Sequence, residues 1–77
     1  MLILYTKPNC KDCEKVKDAF LQTRSNYEER DISDEENLKE LIDSGMSDQV
    51  PVLVDTFTNT SMSDLDEIVD YIMEYAF

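Results

Sequence analysis

Leu2-Ile3-Leu4-Tyr5 is an unbroken apolar run ending at Thr6, and Pro8-Asn9 breaks it, which predicts a short buried strand over Leu2 to Thr6. From Lys11 to Arg24 the period changes. Cys13, Val16, Phe20 and Leu21 recur at helical spacing and Ser25-Asn26 offers an exit, so a first helix is expected there. Tyr27 to Ile32 reads as a second strand with a polar middle. Ser33-Asp34-Glu35-Glu36 has the pattern of a capping box, in which the Ser33 hydroxyl and the Glu36 carboxylate satisfy free amides of a new helix. Leu38, Leu41 and Ile42 supply its apolar face and Gly45 its stop.

Val50-Pro51-Val52-Leu53-Val54 is rich in strand formers, with Pro51 at the start, where a missing N–H is tolerated. A turn and a further short strand, about Phe57 to Ser61, complete a hairpin. Ser63 then caps a last helix whose Leu65, Ile68, Val69, Ile72 and Met73 line one side. The order βαβαββα predicts an α/β fold, with parallel pairing in the first unit and antiparallel pairing in the closing hairpin.

Seventy-seven residues suit one domain, 1–77, whose core is marginal because so short a chain buries only about 60% of its unfolded surface. Charge narrows the partners. Lys and Arg number 7 against 18 Asp and Glu, a net −11, which repels phosphate backbones and argues against nucleic acid. The acidity either keeps the protein in solution or docks it on a basic surface. The apolar residues before Lys7 are too few for a signal-peptide core, and no apolar run approaches the roughly 20 residues of a membrane span. No membrane association is expected. A cytoplasmic location follows, and there two cysteines are better explained by chemistry than by a secreted disulfide framework.

Cys10 and Cys13 admit three roles. A disulfide closing so short a loop stabilises by roughly 2 kcal/mol, which makes a poor staple. A zinc site usually needs four Cys or His ligands, and this chain has two cysteines and no histidine. A dimer pooling thiolates around an iron–sulfur cluster stays open. The redox role explains the placement best, because Cys10 falls at the predicted start of the first helix, where free amides and the dipole favour a thiolate. Lys7 and Lys11 strengthen that effect, while Asp12 and Glu14 oppose it.

Tyr5 to Cys13 (YTKPNCKDC), Val50 to Asp55 (VPVLVD) and the helix-opening Asp64-Leu65 together resemble the glutaredoxins, including the hydrogen-donor redoxins of ribonucleotide reductases. With the element order, the resemblance covers nearly the whole chain. It implies a thioredoxin-like, glutaredoxin-type βαβαββα fold, a four-stranded mixed sheet flanked by three helices. It further implies a dithiol–disulfide oxidoreductase in which Cys10 is the nucleophile and Cys13 the resolving thiol. Lys7 matches the family's contact with the glutathione carboxylate, its bland alternative being a solvated charge. Val50-Pro51 matches a motif whose proline is cis and whose valine backbone pairs with substrate, and the amides of Met62 and Ser63 match the receiver of a second carboxylate. The implied partners are a disulfide-bearing protein, with ribonucleotide reductase a candidate, and either glutathione or a thioredoxin-reductase-type flavoprotein. No tightly bound cofactor or metal is implied, and a monomer is expected.

The chain departs from the family at two places. Asp12 stands where an aromatic residue is usual, often after a proline in the slot of Lys11, and Thr60-Ser61 stands where a Gly-Gly pair precedes the last helix. Both weaken the case for glutathione, itself an anion, and leave the dithiol chemistry intact. The competing class is a redoxin fold kept as a binding module, or as a dimeric iron–sulfur carrier.

Overall fold

The computed structural model describes residues 1–75, which form β1 (Leu2–Thr6), α1 (Lys11–Thr23), β2 (Glu28–Asp31), α2 (Glu35–Asp43), β3 (Val52–Asp55), β4 (Thr60–Met62) and α3 (Leu65–Tyr75). The sheet order is β2-β1-β3-β4. β1 lies parallel to β2, because α1 carries the chain back to the same end of the sheet, and antiparallel to β3, which turns directly into β4. This is the thioredoxin-like arrangement.

Period-two alternation in β1 builds two cores at once. Leu2 and Leu4 join Val16, Ala19 and Phe20 of α1, Leu53 and Met62 of the hairpin, and Ile68 and Ile72 of α3. Ile3 and Tyr5 point the other way, to Leu41 of α2 and Val52. α1 and α3 therefore cover one face and α2 the other. The Tyr5 hydroxyl donates to Glu40 Oε1 at 2.8 Å, and Arg30 pairs with the same carboxylate, so α2 is tied to β1 and β2 through polar contacts as well. α2 is the shorter cover: of its expected apolar face only Leu41 is buried, Leu38 is half-buried, and Ile42 is 52% exposed, contrary to expectation.

The helix caps differ from the expected ones for an electrostatic reason. Ser33 does not cap α2, because the Asp31 carboxylate accepts both its amide, at 2.8 Å, and its hydroxyl, at 2.7 Å. Asp34 takes the position instead. Its carboxylate accepts the Glu36 amide at 2.9 Å, a charge-assisted bond that a serine hydroxyl does not match. At α3 the cap is likewise Asp64 and not Ser63, with Asp64 Oδ2 accepting from Glu67 N at 3.3 Å and its carbonyl from Ile68 N at 2.9 Å. Gly45 does follow α2 as expected, with φ +90° in the region that glycine enters without strain.

α1 ends in a Schellman motif, the amide of Arg24 reaching the Leu21 carbonyl and that of Ser25 the Phe20 carbonyl at 3.1 Å. Arg24 adopts the left-handed conformation there, with φ 54°, which is unfavourable for a residue carrying a Cβ. Arg24→Gly is expected to raise the unfolding free energy by about 0.5 to 1 kcal/mol in urea titrations, and a loss of stability would refute this account of the cap.

Asp55 closes the far end of β3 and is fully buried. Its carboxylate accepts from the Tyr71 hydroxyl and from the amides of Phe57, at 2.9 Å, and Thr58, which fixes the hairpin turn and the flank of α3. The Tyr71 bond above all holds its carboxyl below the ordinary aspartate range. Because the folded value is the lower one, this stability is present above the unfolded value of about 3.9 and is lost as the pH falls through the folded value. Asp55→Asn is expected to cost about 1 to 3 kcal/mol at pH 7. In urea titrations at successive pH values the gap to the parent should close below about pH 4, and a gap that stays constant into acid would contradict the assignment.

Candidate active site

β1 delivers the chain to Lys7-Pro8-Asn9, and Asn9 turns it with φ 60°, a left-handed conformation that asparagine tolerates better than most residues. Cys10 emerges extended, as the N-cap of α1. Its Sγ accepts from the Cys13 amide at 3.1 Å and its carbonyl from the Glu14 amide at 3.2 Å. The sulfur thus sits where a serine or aspartate oxygen would cap an ordinary helix. Cys10 and Cys13 form a disulfide, their Cα atoms 5.2 Å apart. Their exposure is unequal: Cys10 is partly open to solvent, while Cys13 is 1% exposed at the start of the buried stripe of α1. A shallow cavity of about 390 Å³ opens beside the pair, lined by Asn9, Cys10, Lys11 and Glu14.

The local charge reverses that of the whole chain. Between residues 7 and 17 stand Lys7, Lys11, Lys15 and Lys17 against Asp12 and Glu14, a local +2 that leaves −13 on the rest of the net −11. Lys7, Lys11 and Asp12 are all exposed around the cysteines. Just beneath the loop, the buried Thr6 hydroxyl donates to Glu29 Oε2 at 2.8 Å, and Lys17 Nζ lies 2.7 Å from the same oxygen. The hydrogen bond between Lys17 and Glu29 raises the lysine's pKa and lowers the glutamate's. This chain of contacts locks α1 to β2 below the site. Sequence reasoning missed it, although a threonine closing an apolar run was the available signal.

The Val50-Pro51 bond is cis, as the resemblance implies. The β1–β3 register pairs Tyr5 with Val52, and carried two residues further it sets Pro51 beside Thr6 and Val50 beside Lys7. β4 runs toward the same end, where Met62 pairs with Leu53 and Ser63 leads into α3. Lys7, Cys10, Val50, Pro51 and Ser63 therefore share one pole of the sheet. The Met62 side chain is 5% exposed and belongs to the core, so only its backbone amide bears on the expected role. Thr60 and Ser61 lie inside β4, with Thr60 opposite Asp55 at the pole away from the cysteines, so the Thr60 side chain does not border the site.

Among the described residues no group of three or more His, Cys, Asp or Glu side chains is arranged to hold a metal ion. No helix among them is long and apolar enough to cross a membrane.

The fold has solved counterparts. A thioredoxin-like protein, BC3987, superposes with a TM-score of 0.80 at 23% identity, over 94% of this chain and 99% of that one. The glutaredoxin-like NrdH-redoxin from Escherichia coli, whose structure is described in terms of a thioredoxin-like activity profile, gives 0.69 at 22% identity over 87% and 88%. A glutathione transferase homologue from Sulfitobacter, solved with bound glutathione, gives 0.72 at 20% identity over 99% of this chain and 37% of that one. At such identities these likenesses establish the fold. Comparison with curated protein sequences gives no match. The family model described as Glutaredoxin matches residues 2–57, well over half the chain and both cysteines with it. The chain therefore belongs to the glutaredoxin family, a family of thiol–disulfide oxidoreductases.

Proposed function

We propose that this protein is a small electron carrier that reduces disulfides in other proteins through the Cys10-Lys11-Asp12-Cys13 couple, acting as a cytoplasmic monomer with residues 1–77 as one domain. The observation that carries this reading is Cys10, partly open to solvent as the N-cap of α1 with its sulfur receiving the Cys13 amide, and Cys13 buried behind it. That position favours a thiolate once the disulfide is reduced. The Cys10 thiolate attacks one sulfur of the substrate disulfide, forming a mixed disulfide and releasing the first substrate thiolate. Cys13 then gives up its proton and attacks Cys10 Sγ, which closes the Cys10–Cys13 bond and releases the second substrate thiol. Two electrons pass to the substrate.

The backbone at Val50, which the β1–β3 register sets beside Lys7 just ahead of β3, pairs with the substrate segment as an added strand. Lys7 and Lys11 neutralise a carboxylate or acidic side chain of the incoming partner, and the amides of Met62 and Ser63, at the end of β4 and ahead of the Asp64 cap of α3, receive another. Asp12 modulates the couple by opposing the thiolate. It also faces any glutathione with a like charge, worth on the order of 1 kcal/mol at a solvated edge, or about fivefold in affinity. A protein reductase is under no such constraint, so a flavoprotein of the thioredoxin-reductase type is the favoured electron source and glutathione the weaker one.

The test follows NADPH oxidation during reduction of a protein disulfide, once with thioredoxin reductase and once with glutathione plus its reductase. The expected result is turnover with the protein reductase that exceeds turnover with glutathione. Cys10→Ser abolishes it, whereas Cys13→Ser accumulates a mixed disulfide visible by mass spectrometry. Turnover in neither arm, or full activity of Cys10→Ser, would overturn the proposal.

A further inference from the structure

α1 and α3 both start at the cysteine pole, since α1 follows β1 and α3 follows β4, and these strands run the same way through the sheet. Between the two helices runs a groove of about 520 Å³. Its floor is apolar. Leu65, Val69 and Met73 recur every four residues along α3 and face Ala19 of α1, and the three α3 residues are only half-buried against the core. Its rim is acidic, formed by the exposed Asp18, Asp66 and Asp70. Among the described residues Lys15 is the one basic residue on it and stands at the end nearest the cysteines, five residues along α1 from Cys10, or about 7.5 Å.

We propose that this groove is a docking site for a short cationic amphipathic helix of the redox partner. The proposal deepens the function above, since it names a second contact made while the partner's disulfide is at Cys10. Charge decides the occupant. A carboxylate rim around an apolar floor repels acidic segments and nucleic acid, and pairs with Lys or Arg flanking an apolar stripe. The floor spans two turns of α3, from Leu65 to Met73, which matches two to three anchor side chains at i, i+4 and i+8 on a docked helix. The local positive charge around Cys10 and the negative charge of the groove together set the partner's orientation, because a reversed partner would place its basic flank against Lys7 and Lys11.

The probe is an acetylated 14-residue peptide with leucines at i, i+4 and i+8 and lysines on the flanks, titrated into isotope-labelled reduced protein and followed by amide chemical shifts. Shifts confined to α1 and α3 are expected. A scrambled peptide of the same composition should bind at least tenfold more weakly. The combined changes Asp18→Asn, Asp66→Asn and Asp70→Asn should weaken the designed peptide about tenfold, each exposed charge contributing a factor of about two to three. Removing three exposed charges from α2 instead, by Glu35→Gln, Glu36→Gln and Asp43→Asn, should weaken it less than threefold. Because the readout is binding, it is independent of whether the cysteines turn over. Equal binding of the scrambled peptide, equal losses from the two triple variants, or shifts spread over the whole surface would overturn the proposal and mark the attraction as that of net charge alone.

Discussion

Five consecutive residues of β1 are buried, and that double-sided burial is the constraint on which the rest of the molecule hangs. A strand covered on both faces must find helices for both, and Leu2 and Leu4 take α1 and α3 while Ile3 and Tyr5 take α2. At roughly 1.5 to 3 kcal/mol for each large apolar side chain removed from water, β1 outweighs any surface ion pair, including the half-exposed pair of Lys17 and Glu29. The position of the cysteines follows from it. Pro8 and Asn9 end the strand, and the first amides of α1 open where β1 stops.

At that junction the redox chemistry and the folding problem have one solution. A helix start needs an acceptor for its free amides, and here the acceptor is the sulfur of Cys10. In the proposed mechanism, the interaction that caps α1 is also the one that favours charge on the attacking sulfur. The second cysteine gains the opposite environment from the same helix, because one turn further along α1 faces the core. Thr6, Glu29 and Lys17 hold the helix against β2 from below, so the sulfur's position is supported from a third element.

Much of this was legible in the chain. The break at Pro8-Asn9, the Cys-x-x-Cys spacing before a helical stripe, and the Val-Pro pair just ahead of β3 are local signals, and local signals survive into the structure. What failed or stayed hidden depended on competition or on register. Ser33 and Ser63 both have capping chemistry, yet Asp34 and Asp64 beside them are stronger acceptors, and a propensity rule does not rank neighbours. Ile42 carries the right period, but α2 is a single short helix over its face of the sheet and does not cover it. The Thr6–Glu29–Lys17 contacts join three elements, and Thr60 lies on the far pole because of how β4 pairs with β3. Neither arrangement exists before the strands are in register.

The central claim is that the unequal environments of Cys10 and Cys13 assign their roles. It is tested most directly by alkylating the reduced protein near neutral pH with a limiting amount of iodoacetamide and mapping the modified peptides over time. The account predicts that Cys10 is modified first and much faster, because Cys10 is partly open to solvent and the start of α1 favours its thiolate once the disulfide is reduced. Equal rates at the two cysteines, or modification of Cys13 first, would contradict it.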